Sequence, residues 1–80
     1  MLSKLKTNSK IVGTKQVKRA LNSGEVEAVF IAKDAESKIT NEIAKICNDK
    51  QVQVIYVENM KELGSACGID VNAATAALLK

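Results

Sequence analysis

The stretch IVGTKQVKRAL, from Ile11 to Leu21, places an apolar run, a glycine and a helix-like pattern next to one another. Its apolar start predicts a brief strand from Lys10 to Gly13. Thr14 is then a suitable N-cap for a helix that runs to about Ser23 and is closed by Gly24. The residues at helical spacing, which we expect to be buried, are Val17, Ala20 and Leu21.

The same alternation of strand and helix continues along the chain. AVFIA, from Ala28 to Ala32, is a continuous apolar run that predicts a strand covered on both faces. Ser37 is placed to cap a following helix, and VQVIYV, from Val52 to Val57, is a β-branched run typical of a strand. Apolar residues at helical spacing between these two strands are Ile39, Ile43, Ile46 and Cys47.

The remaining segments complete the pattern. Asn59 is a suitable cap for a helix that ends at Gly68 and carries Met60, Leu63 and Ala66 on one face. Residues 2–8 fit a short amphipathic helix. The tail AATAALL, residues 73–79, is ambiguous because alanine and leucine favour helix, while an apolar run of this length also suits an interior strand.

This alternation predicts a three-layer α/β/α sandwich with helices on both faces of a small sheet, and residues 1–80 are expected to form a single domain. Ligands of such folds gather beyond strand ends and near helix amino termini. The segment from Gly13 to Gln16 and the loop at Lys33 and Asp34 lie at two such junctions. We therefore expect any binding site to include them.

Composition excludes several classes of function. No apolar stretch approaches the about 20 residues that a membrane span needs, and the first residues do not resemble a signal peptide, so we expect a cytoplasmic protein without membrane contact. Cys47 and Cys67 have no histidine anywhere in the chain beside them. They therefore supply neither a structural zinc site nor a Cys–His nucleophile, and we expect both to be small buried hydrophobes. We predict no catalytic residue, metal or cofactor.

Charge is unevenly distributed along the chain. Residues 1–24 contain six cations and no acid, whereas residues 25–80 contain six lysines and nine acids. Such asymmetry indicates a polyanionic partner, foremost nucleic acid, although a basic surface that serves only solubility remains an alternative.

The segment that follows the first strand has the chemistry of an anion site. Gly13 permits close approach of a ligand, and the first N–H groups of the helix are able to bind an anionic oxygen. Helix starts usually favour Asp or Glu because the amino end of the helix dipole is positive, yet here the first turns carry cations. Those cations, which we expect to neutralise phosphate, are Lys15, Lys18 and Arg19. Gln16 both donates and accepts, so it suits a base edge better than a phosphate. Ordinary capping beside an exposed cationic surface is the alternative.

Three motifs in order, GTKQVKRAL, IAKDA and LGSACGIDVNAA, resemble the ribosomal protein L7Ae/L30e family, and closest its short bacterial members. The resemblance implies a compact α/β/α sandwich that binds the kink-turn, an RNA in which a bulge and adjoining sheared G·A pairs bend a helix. It also implies that the ambiguous tail forms the last strand of a small mixed four-stranded sheet. The implied partner is a structured RNA that contains a kink-turn, such as ribosomal RNA or a riboswitch. We expect the protein to be a monomer, and association with the ribosome is left open.

Carried over by position, the resemblance assigns three groups of RNA contacts. The groove-reading residues are Gly13, Thr14, Lys15, Gln16 and Arg19, with Lys18 beside them. Lys33 becomes a backbone or bulge contact, and the residues that hold the bulge are Ile69, Asp70 and Val71. Core packing of Ile69 and Val71 in a plain helix-to-strand connection is the alternative for this last group.

One departure from the family pattern affects selectivity. Archaeal and eukaryotic members commonly carry Asn-Glu where this chain has Lys15-Gln16. Glutamate only accepts, so glutamine changes which guanine donors are matched, and the lysine adds attraction to phosphate of any sequence. Two other functions stay open: an enzyme that uses the Gly13–Lys15 segment as an anion pocket, and a ribosome-associated structural or protein-interaction module with incidental RNA contact.

Overall fold

The computed structural model describes residues 9–69 and 72–80. Four strands and three helices alternate along the described chain. They are β1 (Lys10–Val12), α1 (Thr14–Ser23), β2 (Val26–Ala32), α2 (Ser37–Asp49), β3 (Gln53–Val57), α3 (Met60–Ala66) and β4 (Thr75–Leu79). The helix predicted for residues 2–8 lies outside the described residues. No helix within the described part is long and apolar enough to cross a membrane.

The sheet is mixed, with the strand order β1-β4-β2-β3. β4 runs antiparallel to both of its neighbours, while β2 and β3 run parallel and are connected through α2. The tail is therefore an interior strand, as the family resemblance implied. Alanine and leucine have high intrinsic helix propensity, but the burial of this segment between two strands outweighs that preference.

Alternate residues of β2 face two different hydrophobic clusters, which makes the sandwich three-layered. Phe30 packs in the cluster that contains Leu63 of α3 and Leu78 of β4. Val29 and Ile31 pack in the opposite cluster, where the residues from α1 and α2 are Val17, Ala20, Leu21, Ile43 and Cys47. Six of the seven residues of β2 are buried, which confirms the prediction of a strand covered on both faces.

The ends of the helices confirm some sequence predictions and correct others. Asn59 caps α3, with its Oδ1 accepting a hydrogen bond of 2.7 Å from the N–H of Glu62. Thr14 and Ser37 were expected to be N-caps, but each is the first residue inside its helix, and no side chain among the described residues caps either helix. A hydroxyl at the first helical position does not face the free N–H groups, so Thr14 is available for a different contact.

Candidate nucleic-acid interface

The loops that carry the predicted site residues gather at one end of the sheet. β1, β2 and β3 all end there, and β4 begins there. The paired residues at this end are Val12 with Ala76, Ile31 with Thr75, and Ala32 with Val57. We call the loops at residues 13–16, 33–36 and 58–59, together with residues 67–69 and 72–74, the loop end.

Gly13 connects β1 to α1 in a backbone conformation that favours glycine. Its φ is 112° and its ψ is 144°, and its N–H donates a hydrogen bond of 3.1 Å to the carbonyl of Thr75. A Cβ at this position would lie 2.9 Å from Oε1 of Gln16. The side chain of Gln16 is therefore folded back over Gly13. It occupies space that the Cβ of any other residue at position 13 would need.

The amino end of α1 is open to an anion. By helix geometry its first N–H groups have no acceptor within the helix, and no side chain among the described residues caps them. The first turn contains no acidic residue, and Lys15 and Gln16 are exposed. Unpaired N–H donors, the helix dipole and a cation thus favour the same kind of ligand, a phosphate or carboxylate.

The polar side chains of α1 lie on two flanks of the helix. On one flank, Gln16 and Arg19 line an open groove of about 360 Å³ whose apolar floor includes Ile11 and Leu79. On the other flank, Lys18 forms an ion pair with Glu42 of α2. The predicted groove-reading residues Gln16 and Arg19 therefore share one surface, and Lys18 is directed away from it.

Thr75 joins α1 to the sheet. It is fully buried, and its hydroxyl lies 3.4 Å from the hydroxyl of Thr14. Since its carbonyl also accepts from Gly13, the start of α1 is attached to β4 through both a side chain and the backbone. The contact of Thr14 with Thr75 thus fixes the start of α1 against the sheet. The hydroxyl of Thr14 is used in this contact and does not cap the helix.

Two neighbouring residues attach the other loops to the same segment. The N–H of Ala73 donates to the carbonyl of Met60 over 3.1 Å, and the carbonyl of Ala74 accepts from Ala32 over 2.9 Å. Residues 73–75 therefore bind, in succession, the start of α3, the end of β2 and the start of α1. We call residues 73–75 the tether segment.

Lys33 follows β2 at the loop end and is exposed. Its Nζ lies 3.5 Å from Oε2 of Glu58, which follows β3. Its backbone N–H donates to the carbonyl of Val57 over 2.8 Å, which holds the two loops side by side. The adjacent Asp34 accepts a hydrogen bond of 2.8 Å from the N–H of Met60, so this carboxylate is used in joining the loop to α3.

Ile69 lies just after α3 at the same end of the molecule. Gly68 has a φ of 77°, and the N–H of Ile69 turns back to donate to the carbonyl of Gly64 over 3.1 Å. The side chain of Ile69 is half-buried and packs against the cluster that contains Phe30. Asp70 and Val71, the other two residues predicted to hold a bulge, lie outside the described residues.

Both cysteines are buried, as predicted. Burial raises the pKa of the Cys47 thiol and, likewise, that of Cys67, so both stay protonated and apolar in character near neutral pH. Cys47 lies in the cluster between the sheet and helices α1 and α2, and Cys67 lies in the opposite cluster, directly after α3.

Sequence reasoning missed three residues of this region: Glu42, Glu58 and Thr75. The two glutamates are distant in sequence from the lysines they contact, so no local pattern marks them. A single signal marked Thr75, which is the lone polar residue within the apolar run AATAALL.

The model of the ribosomal protein L7Ae/L30e/S12e/Gadd45 family matches residues 2–80. The chain belongs to this family. A protein of Halalkalibacterium halodurans named as an RNA-binding protein is 53% identical over 70 residues, which are 88% of this chain and 85% of that protein. The RNA-binding protein YbxF of Geobacillus stearothermophilus is 43% identical over 70 residues, with the same two coverages.

Solved structures of the L7Ae type share the fold. The Giardia lamblia 15.5 kD RNA binding protein superposes with a TM-score of 0.91 at 27% identity, over 99% of this chain and 70% of that chain. A protein of unknown function from Bacillus halodurans gives a TM-score of 0.89 at 25% identity, over 99% of this chain and 83% of that chain. The α/β/α sandwich predicted from the sequence is thus confirmed as the fold of this family.

Proposed function

We propose that this chain is a non-catalytic RNA-binding protein that recognises kink-turn RNA through its loop end. The observation that carries the proposal is the open amino end of α1, where exposed Lys15 and uncapped N–H groups lie beside the groove formed by Gln16 and Arg19. Membership of the L7Ae family and the names of its relatives support RNA as the ligand.

Attraction to the RNA backbone is the first step of the proposed mechanism. Residues 1–24 have six cations and no acid, and each lysine or arginine that neutralises a phosphate releases condensed counterions. The affinity therefore falls steeply with rising salt. This step is the same for RNA of any sequence and supplies no selectivity.

Selectivity comes from the groove beside α1. Gln16 has a donor and an acceptor on one amide, which suits the exposed edges of sheared G·A pairs better than a phosphate. The guanidinium of Arg19 suits a two-pronged contact to guanine or phosphate. Because both line one groove, a single RNA strand laid against α1 reaches both.

The bulge is held by the residues that follow α3, in this proposal. Ile69 is half-buried, so one side of it packs against the core while the other stays accessible to an unstacked base. Asp70 and Val71 complete this contact, and Lys33 meets the backbone of the bulged strand. The bent RNA is a minor conformer on its own, and preferential binding shifts the population toward it.

A titration of two RNAs of equal length tests the proposal. One carries a kink-turn and the other is fully paired, and calorimetry or gel shift gives both affinities. We expect tighter binding of the kink-turn by a monomeric protein, and an Arg19→Ala variant should lose about 1–3 kcal/mol of that binding together with much of the preference.

A matched variant distinguishes the effect of the position of Arg19 from the effect of losing one positive charge. Lys50 follows α2 and lines a pocket with Gly24 and Lys80, at the opposite end of the sheet. Lys50→Ala removes the same unit of charge as Arg19→Ala and should keep the preference for the kink-turn. Equal affinity of the unmodified protein for both RNAs would refute kink-turn recognition. The efficiency of fluorescence transfer between the two ends of the RNA, which reports the bend, should also rise when the protein is added.

A further inference from the structure

Two of the four cations that the sequence predicts to contact RNA are already paired with carboxylates of the same chain. Lys18 of α1 contacts Glu42 of α2, and Lys33 contacts Glu58 across the loop end. In both pairs the partners come from different elements, so each pair is a product of the fold and not of neighbouring sequence positions. The other two cations, Lys15 and Arg19, have no carboxylate partner among residues 9–69 and 72–80.

The two pairs differ in exposure, which affects how strongly each one holds its lysine. The side chain of Lys18 is 34% exposed and that of Glu42 is 54% exposed, whereas the corresponding values for Lys33 and Glu58 are 57% and 74%. Less exposed charges are screened less by water and salt. The pair of Lys18 with Glu42 should therefore be the harder one for a phosphate to displace.

We propose that Glu42 and Glu58 compete with RNA phosphate for Lys18 and Lys33, and thereby limit the attraction of this protein to RNA of any sequence. The inference rests on the proposed RNA binding at the loop end. Lys15 and Arg19 remain available for the first encounter, while the two paired lysines contribute only when a phosphate displaces the carboxylate that contacts each of them.

This competition acts most strongly on RNA that offers nothing but charge. Binding to a regular duplex depends almost entirely on phosphate contacts, so each lysine that is paired with a carboxylate lowers the affinity for the duplex directly. A bent RNA also gains from contacts with Gln16 and Arg19. Neither is ion-paired with a carboxylate among the described residues, although Glu25 also lines their groove. The acids therefore reduce the affinity for regular duplex by a larger share than the affinity for a bent RNA.

Glutamine variants of the two acids test the proposal. Glu42→Gln and Glu58→Gln keep the shape of the side chain and release the lysine. We expect each to tighten binding to a fully paired RNA by up to about fivefold at low salt, the range set by the strength of exposed ion pairs. The slope of log affinity against log salt should steepen by about 0.7–0.9 for each lysine released.

Glu27→Gln is the control, because it changes the net charge by the same amount. Glu27 is exposed on β2, away from the loop end, and has no lysine or arginine partner among the described residues. If Glu42→Gln and Glu58→Gln bind paired RNA no better than Glu27→Gln, with the same salt slope, the competition is refuted.

The same titrations distinguish this inference from the proposed function. If the unmodified protein binds both RNAs equally well, kink-turn recognition is refuted. The comparison of the variants on paired RNA would still decide whether Glu42 and Glu58 compete with phosphate for the lysines. Conversely, a clear preference for the kink-turn combined with variants that match Glu27→Gln would refute the competition alone.

Discussion

Replacing Gly13 by alanine should reduce both the stability of the protein and its affinity for kink-turn RNA. The φ of 112° and ψ of 144° at this position lie in a region that is essentially restricted to glycine. Holding alanine there costs on the order of 1–3 kcal/mol of the free energy of unfolding. For a domain of this size the melting temperature should fall by about 5–20 °C.

The loss of affinity has a separate cause. The new Cβ would lie 2.9 Å from Oε1 of Gln16, the far end of a flexible side chain. Rotation of the Gln16 side chain relieves this contact at little energetic cost, but it moves the amide away from its position over Gly13 in the groove beside α1. If Gln16 reads a base edge, kink-turn affinity should fall by about 1–3 kcal/mol while affinity for a paired duplex changes little.

Urea denaturation followed by circular dichroism measures the first effect, and the two-RNA titration, performed where the variant is folded, measures the second. Gly24→Ala is the matched control, since Gly24 has a φ of 78° at the far end of α1 and nothing lies within 4 Å of a Cβ there. It should lose about 1–2 kcal/mol of stability and keep its RNA preference. Unchanged stability of Gly13→Ala would refute the backbone argument, and unchanged selectivity would refute the role of Gln16.

Three further substitutions or conditions test other features. Thr75→Val removes a buried hydroxyl and should cost about 0.5–1.5 kcal/mol in urea denaturation, an effect that disappears in a Thr14→Val background. Asn59→Ala removes the cap of α3 and should lower stability by about 1 kcal/mol, whereas Asn59→Asp keeps the acceptor; equal losses would argue against capping. Cys47 and Cys67 have pKa values raised by burial, so the unfolded thiols ionise first. Their contribution to stability is complete below about pH 8.5 and is lost as the pH rises above it, and a Cys47→Ala variant should show a shallower decline.

Local sequence patterns were sufficient to place the regular elements. The apolar run from Ala28 to Ala32 predicted a strand covered on both faces, and the spacing of Val17, Ala20 and Leu21 predicted the buried stripe of α1. Such predictions succeed because burial imposes a period on the sequence that differs between helices and strands.

Features that depend on distant residues were not predictable in the same way. The hydroxyl of Thr14 is an apt cap by residue type, but its partner Thr75 is 61 residues away, and that contact is visible only in the folded chain. The ion pair of Lys18 with Glu42 depends on two helices lying side by side. The strand character of the tail followed from the family resemblance, because composition alone left helix and strand open.

The tether segment has a consequence for protein engineering. Because residues 73–75 hydrogen-bond in succession to Met60, Ala32 and Gly13, adding or removing one residue there would put three loops out of register at once. The turn between α2 and β3 at Lys50 and Gln51 makes no such set of connections to the loop end, lies at the other end of the sheet and does not line the groove of Gln16 and Arg19. An inserted peptide tag, fluorophore site or second domain therefore belongs at that turn, where it leaves the geometry of the loop end intact.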